Sequence, residues 1–430
     1  MIGQEQLQDL QQMVASWVTA HCDPEDLHQA EQMVDTIVQA VGAAAADAML
    51  PRLAGPRSYQ GSRLECSCGR KAKFVGYRSR GVGTLYSVVT VKRAYYHCSH
   101  CRQGQSPWDA REGLDQRLWT PRVKALVVQM GAQMPYQQGV NLLQAILGFK
   151  IEDSSADELM LEVGGRVRVQ ENALVAEIER GEIVPFVARA PQRLYVGMDG
   201  TSAHTGGSWH EVKTGVVYEG RPDKEGRDRA HAARYVAAQE PAQSFGSRLY
   251  MAAAQAGVQV AQEAVVIGDG AEWIWNLAEH HYPGATEIVD VWHACEHIHA
   301  LAHACYGESN PRGKRWAQDH CRGLKDKGPT KLLRALKRMR PKDHEQAEAI
   351  RREIGYFRRN AARMAYPRFR QRGLMIGSGP VEAACKTVVG QRLKQAGMRW
   401  SEAGADAVLA TRAALLSGHS NLIHEAAKAA

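Results

Sequence analysis

Apolar residues recur at helical spacing over residues 4 to about 50, predicting one long helix that runs into the alanine-rich VGAAAADAML and stops at PRLAGPRSYQG. The texture then shifts to β-branched and aromatic residues. TLYSVVTVKRAYY predicts a strand that pairs back across a glycine-rich turn. Helical spacing returns over 109 to about 182, where TPRVKALVVQMGAQ begins with a Thr cap and Pro at the first helical position. From about 191, short apolar runs end in aspartate (RLYVGMD, EAVVIGD, TEIVD) and alternate with helices such as AQSFGSRLYMAAAQAG. That alternation predicts an α/β fold. Residues 300 to 370 read as basic helices, and two more helices close the chain. The implied segments are 1–58, 59–108, 109–190, 191–300, 301–370 and 371–430, with no internal repeat.

The 430 residues, 44% hydrophobic and 23% charged, suit a multi-domain globular protein. No apolar run approaches the roughly 20 residues that span a bilayer, and the N-terminus has no basic start leading into an apolar stretch. No membrane partner is therefore expected. Nine cysteines without an export signal point to a reducing cytoplasm. A net charge of +8 favours a polyanionic partner, and the charge is concentrated: Lys331 to Arg372 holds fourteen Lys or Arg against four acids.

Two motifs suggest metals. Cys66-x-Cys68 and Cys98-x-x-Cys101 flank the predicted hairpin, an arrangement suited to a closed structural zinc site in a small β domain. His97 or His100 is an alternative ligand, and the other five cysteines are expected to be buried small residues. Separately, VDVWHACEHIHALAH contains His293-x-x-Glu296-His297, the ligand order of one class of zinc peptidases. On a helix, however, Ile298, Leu301, Ala302 and Cys305 form an apolar stripe, with His293 and His297 at its edge and His299 and His303 facing away.

Asp199, Asp269 and Asp290 each end an apolar run, and strand ends of open α/β sheets are where ligands collect. Clustered carboxylates repel unless a cation neutralises them, and hard oxygen ligands favour Mg²⁺ or Mn²⁺. A turn or cap role is the alternative for each. Glu382, in GSGPVEAACK, falls in the first turn of a predicted helix, where it either complements the helix N-terminus or serves as a metal ligand.

VGMDGTSAHTGGSWHEVKTGVVY, VVIGDGAEWIWNLAEHHYPGATEIVDVWHACEH and GSGPVEAACKTVVGQRLKQAGMRWSEAGADAVLATRAA resemble insertion-sequence transposases of the ISKra type, allied to the mutator superfamily. The resemblance runs from about Cys66 to Ser417. It implies an RNase H-like core interrupted by a basic helical insertion, preceded by a zinc-binding β domain and a helix-turn-helix-like region. It also implies a DDE active site of Asp199, Asp269 and Glu382 holding Mg²⁺, with Asp290-Val-Trp-His293 matching a C/D-x-x-H motif. Asp290 is a competing choice for the second ligand. A recognition helix would start near Ser154 or Ser155, although IEDSSADELMLE is acidic and poorly suited to a major groove.

The expected activity is metal-dependent DNA cleavage and strand transfer at element ends, by a dimer or larger assembly on the nucleoid. Arg399 and Trp400 are candidates for gripping a flipped base. Lys386, Arg392, Lys394, Arg338, Arg358 and Arg359 are candidate DNA contacts. The rivals are an RNase H-like nuclease or resolvase that cuts without joining, and an inactive zinc-containing DNA-binding regulator.

Overall fold

The computed structural model describes residues 3–114, 118–148 and 151–429. They form two compact units: residues 3–126 with 140–151 and 427–429, and residues 127–139 with 152–426. The expected helical segment 109–190 is divided between them, and part of it (115–117 and 149–150) lies outside the described residues.

The first unit opens with α1 (Gln4–His21) and α2 (Leu27–Leu53). The single helix expected over 4–50 is interrupted because Pro24 cannot continue it, and Asp26 starts the next helix by accepting a hydrogen bond from the Gln29 N–H. By length and composition α2 is apolar enough to cross a membrane, which corrects the reading that no segment is. Counting unbroken apolar runs missed it because Asp35, Gln39 and Asp47 interrupt an otherwise mostly apolar stretch.

The predicted hairpin is the centre of an antiparallel sheet, in the order β1 (Arg63–Glu65), β2 (Lys71–Gly83), β3 (Val88–His97) and β4 (Gly104–Gln105). Val82, Val89 and Val91 point to one side and pack with Trp108 of α3 (Pro107–Arg111) and Ala46 of α2. Beneath this packing lies a buried ion cluster. Asp109 accepts from Arg93 Nε at 3.0 Å and Arg80 Nη1 at 2.6 Å, while Arg93 Nη1 donates to the Arg78 carbonyl.

Two helices, α4 (Pro121–Gln133) and α5 (Tyr136–Leu147), contribute residues to both units. The second unit continues with α6 (Asp153–Leu159), a short π turn, and α7 (Gly165–Glu179). The helix expected from Ser154 starts at Asp153, and its Ala156 and Leu159 are buried.

The central sheet comprises β5 (Arg193–Thr205), β6 (Ser208–Pro222), β7 (Asp228–Ala238), β8 (Glu263–Gly268) and β9 (Thr286–Val289), in the order β7-β6-β5-β8-β9. Three strands form an antiparallel meander. β8 and β9 then add in parallel, as two strands joined by helical crossovers require. The crossovers are α8 (Ala242–Gln255) and α9 (Glu272–His281).

After β9 come α10 (Val291–Tyr306), α11 (Pro311–Lys327), α12 (Thr330–Arg338), α13 (His344–Arg359) and α14 (Tyr366–Gln371). The basic helices α11 to α14 share the sheet's core: Leu324, Leu332, Ile350, Phe357 and Tyr366 form one buried cluster with Val196, Val266 and Ile288. Their cations lie on the opposite faces, so the charge run is the solvated side of helices docked on the sheet. The chain closes with α15 (Gly379–Ala384), a π turn at Cys385–Gly390, α16 (Gln391–Leu393), α17 (Glu402–Leu416) and α18 (Ser420–Ala429). Mixed α/β architecture is as expected.

Removing Asp109 would leave Arg93 buried without its counter-charge. Asp109→Ala is expected to destabilise the first unit by about 3–5 kcal/mol, read from the urea transition of the full chain. An unchanged midpoint would show that the cluster contributes nothing.

Candidate functional site

Cys66 and Cys68 sit in the turn between β1 and β2, and Cys98 and Cys101 in the turn after β3. Tight knuckles hold both pairs: Cys66 N–H donates to the Arg70 carbonyl and Cys98 N–H to the Gln103 carbonyl. The four Sγ atoms lie within 4.8 Å of one another, at 3.5 Å for Cys66–Cys101 and 3.7 Å for Cys68–Cys98. Tetrahedral Zn–S bonds of about 2.3 Å place sulfurs roughly 3.8 Å apart, so the quartet can hold a metal ion such as zinc. His97 and His100 are exposed and outside it. The backbone N–H groups of Cys101 and His100 pull the Cys98 thiol down to about 6, favouring the thiolate a metal needs.

A second site lies where β8 ends beside the middle of β5, which runs on past Asp199 to Thr205 rather than ending at it as expected. Asp199 belongs to β5, and Asp269 follows the neighbouring parallel strand β8. Together with Asp290, His293, Glu296, Ser378 and Glu382 they line one cleft of about 370 Å³. Asp199 accepts from its neighbour's N–H (Gly200, 2.7 Å) and from the Cys385 thiol (3.6 Å). Burial raises the Asp199 pKa, and the Asp269 charge adds to the rise against the Gly200 N–H, Cys385 and His293. Burial and the Asp199 charge in turn push the Cys385 thiol up to about 12, keeping it a donor.

Asp269 accepts from the Ala271 N–H at 2.8 Å, and its carbonyl receives the Tyr356 hydroxyl at 3.0 Å. Between them Gly270 adopts φ +101°, and any Cβ there would meet the Tyr356 ring at 2.8 Å. Glu382 is exposed on the first turn of α15, with no ion-pair partner among the described residues. Its helix can lie flat on the sheet because Gly197 of β5 leaves a notch for Val381; a Cβ at Gly197 would collide with that side chain. Asp199, Asp269 and Glu382 thus share a cleft. Among the described residues only the cysteine quartet draws three or more ligand atoms within 4.8 Å.

Asp290 has a different job from the one expected. It is buried, and its carboxylate caps α10 by accepting from the Trp292 and His293 N–H groups, while the other oxygen accepts the Ser378 N–H. It therefore serves as a cap and tether while also lining the cleft. The peptidase reading fails on the same helix. His297 Nδ1 is 2.7 Å from buried Glu353, and its ring stacks on Tyr356 at 3.8 Å, while His293 sits 3.3 Å from Glu296. The two rings lie 5.2 Å apart, but among the described residues no third ligand joins them, the cysteine quartet being the only such group.

Two of the expected DNA contacts are also corrected. Arg392 is 1% exposed and Trp400 8%. Arg392 lies over the Trp400 ring at 4.5 Å and donates to the Gly131 carbonyl, so the pair is internal packing. Lys386, Lys394, Arg399, Arg338, Arg358 and Arg359 are exposed.

A family profile described as an uncharacterised protein family, UPF0236, matches residues 31–428. The chain belongs to this family. The match spans both units and includes the cysteine quartet and every residue of the carboxylate cleft. No curated protein matches the sequence. Tyr356, Glu353, Cys385 and Gly197 escaped sequence reasoning because each acts through a neighbour distant in the chain.

Two outcomes follow. Cys98→Ser should lose the roughly one equivalent of zinc that elemental analysis would find in the purified wild-type chain; a metal-free wild type would exclude the site. For Asp199 the folded pKa lies above the unfolded one, so ionisation costs stability as pH rises out of the usual carboxylate range. In chelator, Asp199→Asn should therefore melt higher than wild type at neutral pH, with the gap closing on acidification. A gap that widens in acid would contradict the assigned sign.

Proposed function

We propose that this chain is a DDE transposase with an RNase H-like core, which cuts and joins DNA at the ends of its own mobile element. The reading rests on one observation above all. Asp199 and Asp269, on adjacent parallel strands, and Glu382, on a helix laid across them, line a single open cleft. The strand order, an antiparallel meander followed by two parallel strands, agrees with it, as does the basic outer face of α11 to α14.

Three carboxylates in one cleft, one of them disfavoured as an anion by burial and by its neighbour, fit hard divalent cations. Bound Mg²⁺ would activate the attacking oxygen and stabilise the departing 3′ oxygen. The protein's own contribution is placement. The strands fix Asp199 and Asp269, Tyr356 holds the Asp269 backbone, and the Gly197 notch sets the height of Glu382. Cys385 donates to Asp199 and keeps one oxygen oriented. Water or a DNA 3′-hydroxyl would serve as nucleophile, with no covalent protein intermediate. Exposed Arg338, Arg358, Arg359, Lys386, Lys394 and Arg399 are available for phosphates. Joining two element ends would require a dimer or larger assembly, acting on the nucleoid.

The test is a cleavage and joining assay with Mg²⁺ on the DNA that flanks the coding region. Asp199→Ala, Asp269→Ala and Glu382→Ala should each lower product by at least about 100-fold, the scale of losing a transition-state contact. Cutting without strand-transfer product would favour a nuclease or resolvase. Undiminished function in all three variants would leave only a DNA-binding regulator.

A further inference from the structure

Trp292 occupies the first turn of α10, two residues after the Asp290 cap, yet its side chain is 58% exposed. An indole is costly to leave in water. The Lys325 ammonium sits over the ring at 3.5 Å, and the Nε1 edge faces Gly377, where a Cβ would lie 3.2 Å away. Trp292 and Lys325 form the ridge between two open grooves of about 790 and 470 Å³. One groove runs to Gly379 and Pro380, at the start of the Glu382 helix. The other shares Glu296 as a wall with the carboxylate cleft. The ridge therefore borders the proposed chemistry on both sides.

The groove walls carry Arg322, Arg370 and Arg229. Arg370 is paired with Asp326 at 3.3 Å and Arg229 with Asp223 at 3.0 Å, whereas Lys325 and Arg322 have no carboxylate partner among the described residues. An exposed aromatic ring flanked by cations that track away from it is the arrangement that binds single-stranded nucleic acid. A base stacks on the ring while the cations take the phosphates. Lys325 suits both states. Its flexible stem lets the ammonium cover the indole in the free protein and swing to a phosphate when a base takes its place.

We propose that Trp292 and Lys325 form a stacking seat for a base of single-stranded DNA next to the carboxylate cleft, holding the strand whose phosphate enters it. This rests on the DNA-processing reading above and gives Trp292 the stacking role that buried Trp400 cannot fill.

The experiment measures fluorescence anisotropy of dye-labelled single-stranded and duplex DNA of one sequence with the full chain at fixed salt. Trp292→Leu should weaken single-strand binding by about 5- to 150-fold, the range for one lost base–aromatic stack, and duplex binding much less. Trp292→Phe should stay near wild type, separating stacking from plain apolar contact and from loss of fold. Equal affinities of the Leu, Phe and wild-type proteins for the single strand would overturn the seat, as would equal losses on single strand and duplex. Tighter binding of the matching single-stranded RNA, with the same Trp dependence, would overturn DNA as its occupant. If the wild-type chain binds no DNA at all, the transposase reading fails too. If it binds DNA and Asp199→Ala abolishes cleavage while Trp292→Leu binds normally, only the seat fails.

Discussion

One buried carboxylate organises the site. Asp290 receives three backbone N–H groups, two from the first turn of α10 and one from Ser378, while its own N–H donates to the Gly268 carbonyl at the end of β8. The three N–H groups satisfy the carboxylate in place of the water it lost on burial. Its position ties together the strand that leads to Asp269, the helix that bears Trp292 and His293, and the loop that delivers Glu382. Each of those side chains would otherwise depend on a separate flexible connection. The candidate acids Asp199, Asp269 and Glu382 line the same cleft while Asp290 supplies the backbone contacts.

The rest of the cleft follows the same division of labour. Groups that touch the candidate chemistry are partly or fully exposed, and groups that hold them are buried. Tyr356 stacks on His297 and bonds to the Asp269 carbonyl, and Glu353 fixes His297 from the same helix. Burial disfavours the Glu353 anion, but hydrogen bonds from His297 and Arg352 outweigh it and hold its pKa low. α13 therefore supports the cleft from within the basic segment. A helix that shows cations to solvent can also supply packed aromatic and acidic residues to the sheet, because its faces answer to different solvents.

The cysteine site of the first unit has a simpler logic. A small antiparallel sheet has little core of its own, and a metal clasp at the hairpin base can supply stabilisation beyond its Phe74–Tyr96 packing. The buried Arg80–Asp109–Arg93 cluster adds a second fixed point on the opposite part of the hairpin.

Much of this was legible in the chain alone. β-branched and aromatic residues marked β3 and a glycine-rich turn its pairing partner, apolar runs ending in aspartate marked β5, β8 and β9, and paired cysteines marked the metal clasp, because each signal is local. The candidate acids Asp199, Asp269 and Glu382 were likewise named from strand ends, a helix start and a family likeness. The roles of Asp290, Arg392, Trp400 and Trp292 were not legible. An aspartate after a strand reads identically whether it caps a helix or faces a cleft, and a tryptophan reads identically buried or exposed. Only the fold decides which side of each residue meets water, since that depends on elements tens to hundreds of residues away in sequence.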